Sequence, residues 1–196
     1  MIDRLISYDQ QLFLFLNGMH SPVFDFIMYW LSDKLIWVPL YAWMLFYMWR
    51  EHRSRLWLVI IFIALLVTFT DQVSVQVFKN IFHRLRPCHN PELEGLVRIL
   101  NGHCGGKYGF ISSHACNMAG IALFSGLMLR KRFRWLLPSL IVWSILIGYS
   151  RIYLGVHYPA DVVVGFFVGG IIGFLVYSFF NYVNGKLKPV TNQSKE

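Results

Sequence analysis

The chain has 196 residues, 56% of them hydrophobic, 17% aromatic and 14% charged; soluble domains carry about 25% charged residues, so a water-soluble globule is excluded. Its formal net charge of +8 sits in short clusters between apolar runs, as membrane topology signals do, and not in the basic stripe of a nucleic-acid-binding fold. Three cysteines are too few for a disulfide scaffold.

Residues 5–16 are apolar with interruptions at Ser7, Asp9, Gln10 and Gln11, the pattern of a helix lying in the membrane interface. No basic leader precedes an unbroken apolar core, so no cleavable signal peptide is expected. "NGMHSP" reads as a turn. The first predicted span runs from Asp33 to Trp49, with a possible start near Phe26, and "REHRSR" (50–55) follows as a basic loop. Span two is Leu56–Phe78, 23 residues or about 34 Å of helix. A polar loop, Lys79–Gly109, precedes span three at Phe110–Leu129, which ends at "RKRFR" (130–134). Spans four and five are Trp135–Tyr149 and Ala160–Tyr182. The expected fold is all-α: a polytopic bundle of five transmembrane helices with an N-terminal interfacial helix. A sixth span over residues 11–30 is the alternative. Residues 1–185 form one domain and 186–196 a polar tail.

Ten of the 18 basic residues lie in loops 50–55 and 130–134 and in the tail (Arg50, Arg53, Arg55, Arg130, Lys131, Arg132, Arg134, Lys186, Lys188, Lys195). Three of the other eight carry the chemistry described next, which leaves ten against five. The positive-inside rule then puts the two basic loops in the cytoplasm. The Lys79–Gly109 loop and the Arg151–Pro159 connection share the opposite side, so the polar ends of four spans converge there. Ionisable groups in membrane bundles are placed mostly for function.

Three clusters meet on that face. In "KNIFHRLRP", Lys79 and Arg86 are seven residues apart, almost two helical turns, which sets both cations on one side of a helix end. Two cations aimed at one place suit an anion with several oxygens, phosphate above all. In "GFISSHA", Ser112, Ser113 and His114 open span three, where hydroxyls and free backbone N–H groups make an anion site. In "SRIYLGVHYPAD", Pro159 suits the first turn of span five. Asp161 then falls near the third helical position with His157 four residues earlier, a base and its orienter; Arg151 adds a third cation. Singly, each cluster has a bland explanation: snorkelling cations, a serine N-cap, an ion pair closing a loop. Together they supply what metal-free phosphoryl transfer needs, charge aimed at phosphoryl oxygens. No metal-ligand spacing occurs among them.

These motifs resemble the type 2 phosphatidic acid phosphatase (PAP2) family, whose signature is K-x6-R-P, then P-S-G-H, then S-R-x5-H-x3-D. The first and third match fully and in order, over 79–87 and 150–161. The second, "ISSH" (111–114), departs twice: Ile111 replaces the usual Pro and Ser113 the usual Gly. The resemblance implies that His157 is the nucleophile, that Asp161 orients it, and that His114 is the general acid and base. Lys79, Arg86, Ser112 and Arg151, with the Ser113 N–H, would bind phosphate. It implies no cofactor and no metal, and a lipid phosphate substrate at the outer face of a bacterial inner membrane. Undecaprenyl pyrophosphate is the first candidate, on the look of "LFLFLNGMHSPVFD"; lipid A and phosphatidylglycerol phosphate are the alternatives. A transporter would place such charges at mid-depth rather than at span ends, and a non-catalytic lipid binder would not need both histidines.

Cys88 and Cys104, 16 residues apart in the outward loop, read as a disulfide permitted by an oxidising periplasm. Free thiols, or metal binding with His89 and His103, are the alternatives. His83 is one turn from Lys79, and Asp71 is expected to face the bundle. No oligomeric state is legible.

Overall fold

The computed structural model describes residues 1–102 and 104–187. Seven helices succeed one another: α1 (Ile2–Gly18), α2 (Pro22–Ser32), α3 (Val38–Glu51), α4 (Leu56–Gln72), α5 (Ser113–Leu129), α6 (Leu136–Tyr153) and α7 (Pro159–Lys186). α4 runs on through a π-helical stretch, Val73–Lys79, and a last turn, Asn80–Phe82. Three helical segments are long and apolar enough to cross a bilayer: Arg53–Phe82, Leu136–Tyr153 and Pro159–Lys186. The apolar helix Ser113–Leu129 is shorter, 17 residues. The protein is an all-helical, multi-pass membrane bundle.

Local chemistry sets the helix ends. The Ser21 hydroxyl accepts from Phe24 N at 3.3 Å and Pro22 occupies the first turn of α2. Residues 11–30 are therefore not one span: α1 stops at Gly18 and α2 starts at Pro22. Extended backbone at Asp33 ends α2 (ψ 123°), which separates Phe26 from the following span. α6 continues to Tyr153, four residues past the predicted end, and stops before Gly155 in left-handed conformation (φ 80°). The connection ahead of α7 is correspondingly shorter than the sequence suggests, and Arg151 is helical.

α5 is the central helix. It packs against α7, α6 and α4, and Ala115, Cys116, Ala119, Ala122, Phe124 and Leu129 are completely buried. Lipid tails are as apolar as leucine, so membrane helices gain by close backbone approach through small residues. Gly165, Gly169 and Gly173 of α7 provide it, facing Ser112, Cys116 and Gly120 of α5.

The two ends of the bundle differ. At one, Arg55 donates to the Asn184 and Leu187 carbonyls, joining the start of α4 to the end of α7. At the other, the end of α4, the start of α5, the end of α6 and the start of α7 come together. α1 packs there too: Phe13 is fully buried, and Asn17 Nδ2 donates to the Tyr153 carbonyl at 2.8 Å. Arg98 of the long loop clamps Asp25 of α2 with bonds of 2.8 and 2.5 Å. Tyr153 OH donates to the same carboxylate at 2.6 Å. Lys188, Lys195 and the rest of the polar tail beyond 187, like His103, lie outside the described residues.

Candidate active site

The site is assembled at the helix ends. Ser112 is the N-cap of α5: its hydroxyl accepts from Ala115 N at 3.4 Å, and its own N–H donates to the Asp161 carbonyl at 2.9 Å. That bond ties the start of α5 to the start of α7. Ser113 and His114 follow in the first turn of α5, both half-buried. Unsatisfied backbone N–H groups and the helix dipole give this end its attraction for anions.

Pro159 begins α7 and Asp161 is its third residue. The Asp161 side chain is wholly buried; Oδ2 accepts from Tyr158 N at 3.0 Å and lies 3.4 Å from His157 Nδ1. His157 is 2% exposed. Burial pushes its imidazole well below the usual histidine range, and Arg86, Arg151 and Lys79 push it the same way. All three cations therefore act on one ring. His114 lies within electrostatic reach of the same three and of His157. The two histidines, three cations and Asp161 form one cluster.

Lys79 and Arg86 reach that cluster by a route other than helical periodicity. The helix ends at Phe82 because His83 is left-handed (φ 47°) and Pro87 lies beyond. Arg86 sits on extended backbone paired with the returning loop: Arg86 N donates to Lys107 O at 3.1 Å, and Leu85 bridges Tyr108. The guanidinium donates to the carbonyls of Tyr108 (3.3 Å) and Cys104 (3.2 Å). Burial lowers its pKa from the ordinary arginine value. Lys79 Nζ donates to Ser113 Oγ at 2.6 Å, and Ser74 Oγ lies 2.7 Å from the same oxygen. Arg151 Nη1 donates to Ser32 Oγ of α2, while its buried Nε has no partner.

Cys88 and Cys104 are joined as a disulfide, Cα atoms 6.2 Å apart. His89, the other neighbour weighed for a metal, has its Nε2 3.2 Å from Gly105 O. Exposed His83 packs its ring against Tyr108, centroids 4.8 Å apart.

Two residues at the site escaped the sequence reading. Arg84 Nη1 donates to Asp161 Oδ1 at 2.8 Å and its Nη2 to Asp9 Oδ2 at 2.6 Å. Asp9 Oδ1 accepts from Ala160 N at 2.9 Å. Arg84 occupies an unspecified position of K-x6-R-P, so the motif carries no signal for it. Asp9 passed for a polar interruption of α1.

A phosphate-hydrolysing enzyme of the membrane is the class that this bundle and this cluster define. The PAP2 superfamily pattern matches residues 60–184. A lipid A 4'-phosphatase of Bacteroides thetaiotaomicron is 40% identical over 97% of this chain and 85% of its own length. One of Porphyromonas gingivalis is 36% identical over 94% of this chain and 78% of its own length. The crystal structure of a transmembrane PAP2-type phosphatidylglycerolphosphate phosphatase from Bacillus subtilis shares the fold. Its TM-score is 0.71 at 22% identity, with 95% of this chain and 89% of that chain covered. The chain belongs to the PAP2 superfamily and is a membrane lipid phosphatase.

Proposed function

We propose that the protein removes the 4'-phosphate of lipid A at the extracytoplasmic face of the inner membrane. The observation that carries this reading is near-full-length similarity to two proteins named for that reaction, at 40% and 36% identity. The N-terminal stretch that suggested the undecaprenyl carrier falls within those matches, which cover 97% and 94% of the chain. It therefore does not favour the carrier lipid.

The chemistry proceeds with the chain's own groups and water. In this reading Nδ1 of His157 carries the proton and faces Asp161 Oδ2, 3.4 Å away, and Nε2 attacks phosphorus. The P–N bond forms as the P–O bond to the sugar breaks, giving a phosphohistidine. His114 gives its proton to the departing sugar oxygen, then takes one from the water that hydrolyses the P–N bond and releases phosphate. Lys79, Arg86, Arg151, Ser112 and the Ser113 N–H hold the phosphoryl oxygens, whose charge the cluster is built to stabilise.

The test is phosphate release by purified protein in detergent with EDTA present, comparing lipid A carrying both phosphates with undecaprenyl pyrophosphate. Mass spectrometry of the lipid product locates the phosphate lost. Preference for lipid A with loss at the 4'-position is expected; faster turnover of the carrier lipid overturns the substrate assignment. His157→Ala should abolish turnover in folded protein, and residual activity above about one part in a thousand would sink the nucleophile assignment.

A further inference from the structure

We propose that Asp9 and Arg84 are positioning residues for the nucleophile, acting through Asp161; this rests on the reading of His157 as the attacking group. A carboxylate with no solvent exposure is costly unless it is paired and hydrogen-bonded. Asp161, at 0% side-chain exposure, receives Tyr158 N and faces His157 with Oδ2, while Oδ1 takes Arg84 Nη1 at 2.8 Å. Arg84 thus binds the oxygen that His157 does not use.

Arg84 is itself shared. Its second Nη donates to Asp9 at 2.6 Å, and its guanidinium lies 4.1 Å above the Tyr158 ring. The planar fork is pinned on both edges and one face. Asp9 closes the circuit, because its other oxygen accepts from Ala160 N in the first turn of α7. Four segments meet in one chain of contacts: α1, the loop after α4, the turn before α7, and α7 itself.

The charge pattern gives the arrangement its purpose. An arginine paired with Asp161 alone would neutralise the carboxylate that must steady positive charge on His157 as the P–N bond forms. Shared between Asp9 and Asp161, the same arginine leaves the group with one net negative charge. That charge faces a ring already surrounded by Arg86, Arg151 and Lys79. α1 thereby reaches the nucleophile through Arg84 and Asp161.

The experiment measures kcat and KM for phosphate release by the full chain, with thermal unfolding of each variant in detergent. Asp9→Asn retains an oxygen for Ala160 N and removes the charge. It should lower kcat about tenfold with KM changed less than twofold, since an interaction that matters in the transition state appears in kcat. Arg84→Gln frees Asp161 Oδ1 from the bond that holds it and should lose more, and Arg84→Lys, which keeps a donor and the charge, should recover about a tenth or more of wild-type kcat. Combining Asp9→Asn with Arg84→Gln should cost no more than Arg84→Gln alone, because the two act as a unit. Wild-type kcat in Asp9→Asn, a change confined to KM, or additive losses overturn the proposal. Should Asp9→Asn fail to fold, Arg84→Lys against Arg84→Gln decides it, equal losses overturning it. His157→Ala run beside them separates the two claims: turnover there defeats the nucleophile reading whatever Asp9→Asn does.

Discussion

Lys79 Nζ donates to Ser113 Oγ at 2.6 Å, and Ser113 stands where the PAP2 signature has glycine. The departure therefore adds a partner for the Lys79 ammonium. An ammonium has three donors, so Ser113 takes one and leaves two for the phosphoryl oxygens that the proposed role assigns to Lys79. Ser113→Gly should raise KM about tenfold with kcat within twofold, since a hydrogen bond to a charged group contributes about 1.5 kcal/mol. Steady-state phosphate release checks it. An unchanged or lower KM would mean that the hydroxyl competes with substrate for Lys79.

His157 holds its proton less tightly than an exposed histidine, from burial first and then from Arg86, Arg151 and Lys79. In its proposed role as nucleophile His157 must be neutral, so the acidic limb of kcat/KM should fall below pH about 6.5, the unperturbed value. Arg86→Gln removes one cation, so the limb should move to higher pH while the overall rate drops. A limb unmoved by this change would show that another group sets it. The same shift affects stability: the unfolded chain takes up the proton first as pH falls. This contribution is complete above pH about 6.5 and is lost as pH drops from there toward the folded value, which melting temperatures across pH 5–8 would show.

The site residues that were legible in sequence share a property: their chemistry and spacing are local or lie in fixed gapped patterns. His157 and Asp161 are four apart across a proline-started helix, so their encounter follows from helix geometry. Arg86 was legible as a residue and not as a geometry. Seven-residue spacing suggests a shared helix face, whereas a left-handed His83 and pairing with residues 107–108 set its real position. The ion pair of Arg84 with Asp9 spans 75 residues, and nothing in either local pattern encodes it. Arg151 marked a predicted helix end because a charge facing lipid is costly; the helix continues since that charge turns inward to Ser32.

The Cys88–Cys104 bridge closes a loop with a sequence separation of 16, and closure of that size contributes about 3 kcal/mol. It also carries the Cys104 carbonyl that accepts from Arg86 Nη1. Cys88→Ser with Cys104→Ser should therefore lower the melting temperature and raise KM, leaving the order of substrate preference intact. Denatured protein should show one reactive thiol, Cys116, before reduction and all three cysteines after it. Three thiols without reductant would exclude the bridge.

Helix packing and catalysis are joined at Gly169. A Cβ there would meet Cys116 backbone atoms, C at 2.7 Å and Cα at 2.8 Å, and backbone cannot swing aside as a side chain can. The clash would force α7 from α5 beneath the bond from Ser112 N to the Asp161 carbonyl, 2.9 Å long. Ser112 and His114 ride on α5, and His157 and Asp161 on the start of α7, so separation splits the cluster in two. Gly169→Ala should destabilise by about 1–3 kcal/mol and cost activity beyond the loss of folded protein. The neighbouring Gly170 is the control: a Cβ there finds only Leu123 Cδ2 at 3.6 Å, ordinary contact. Gly170→Ala should melt near wild type and keep its rate. Melting in detergent alongside phosphate release tests both, and equal behaviour of the two variants would refute close approach at Gly169 as the device that holds the two halves of the site together.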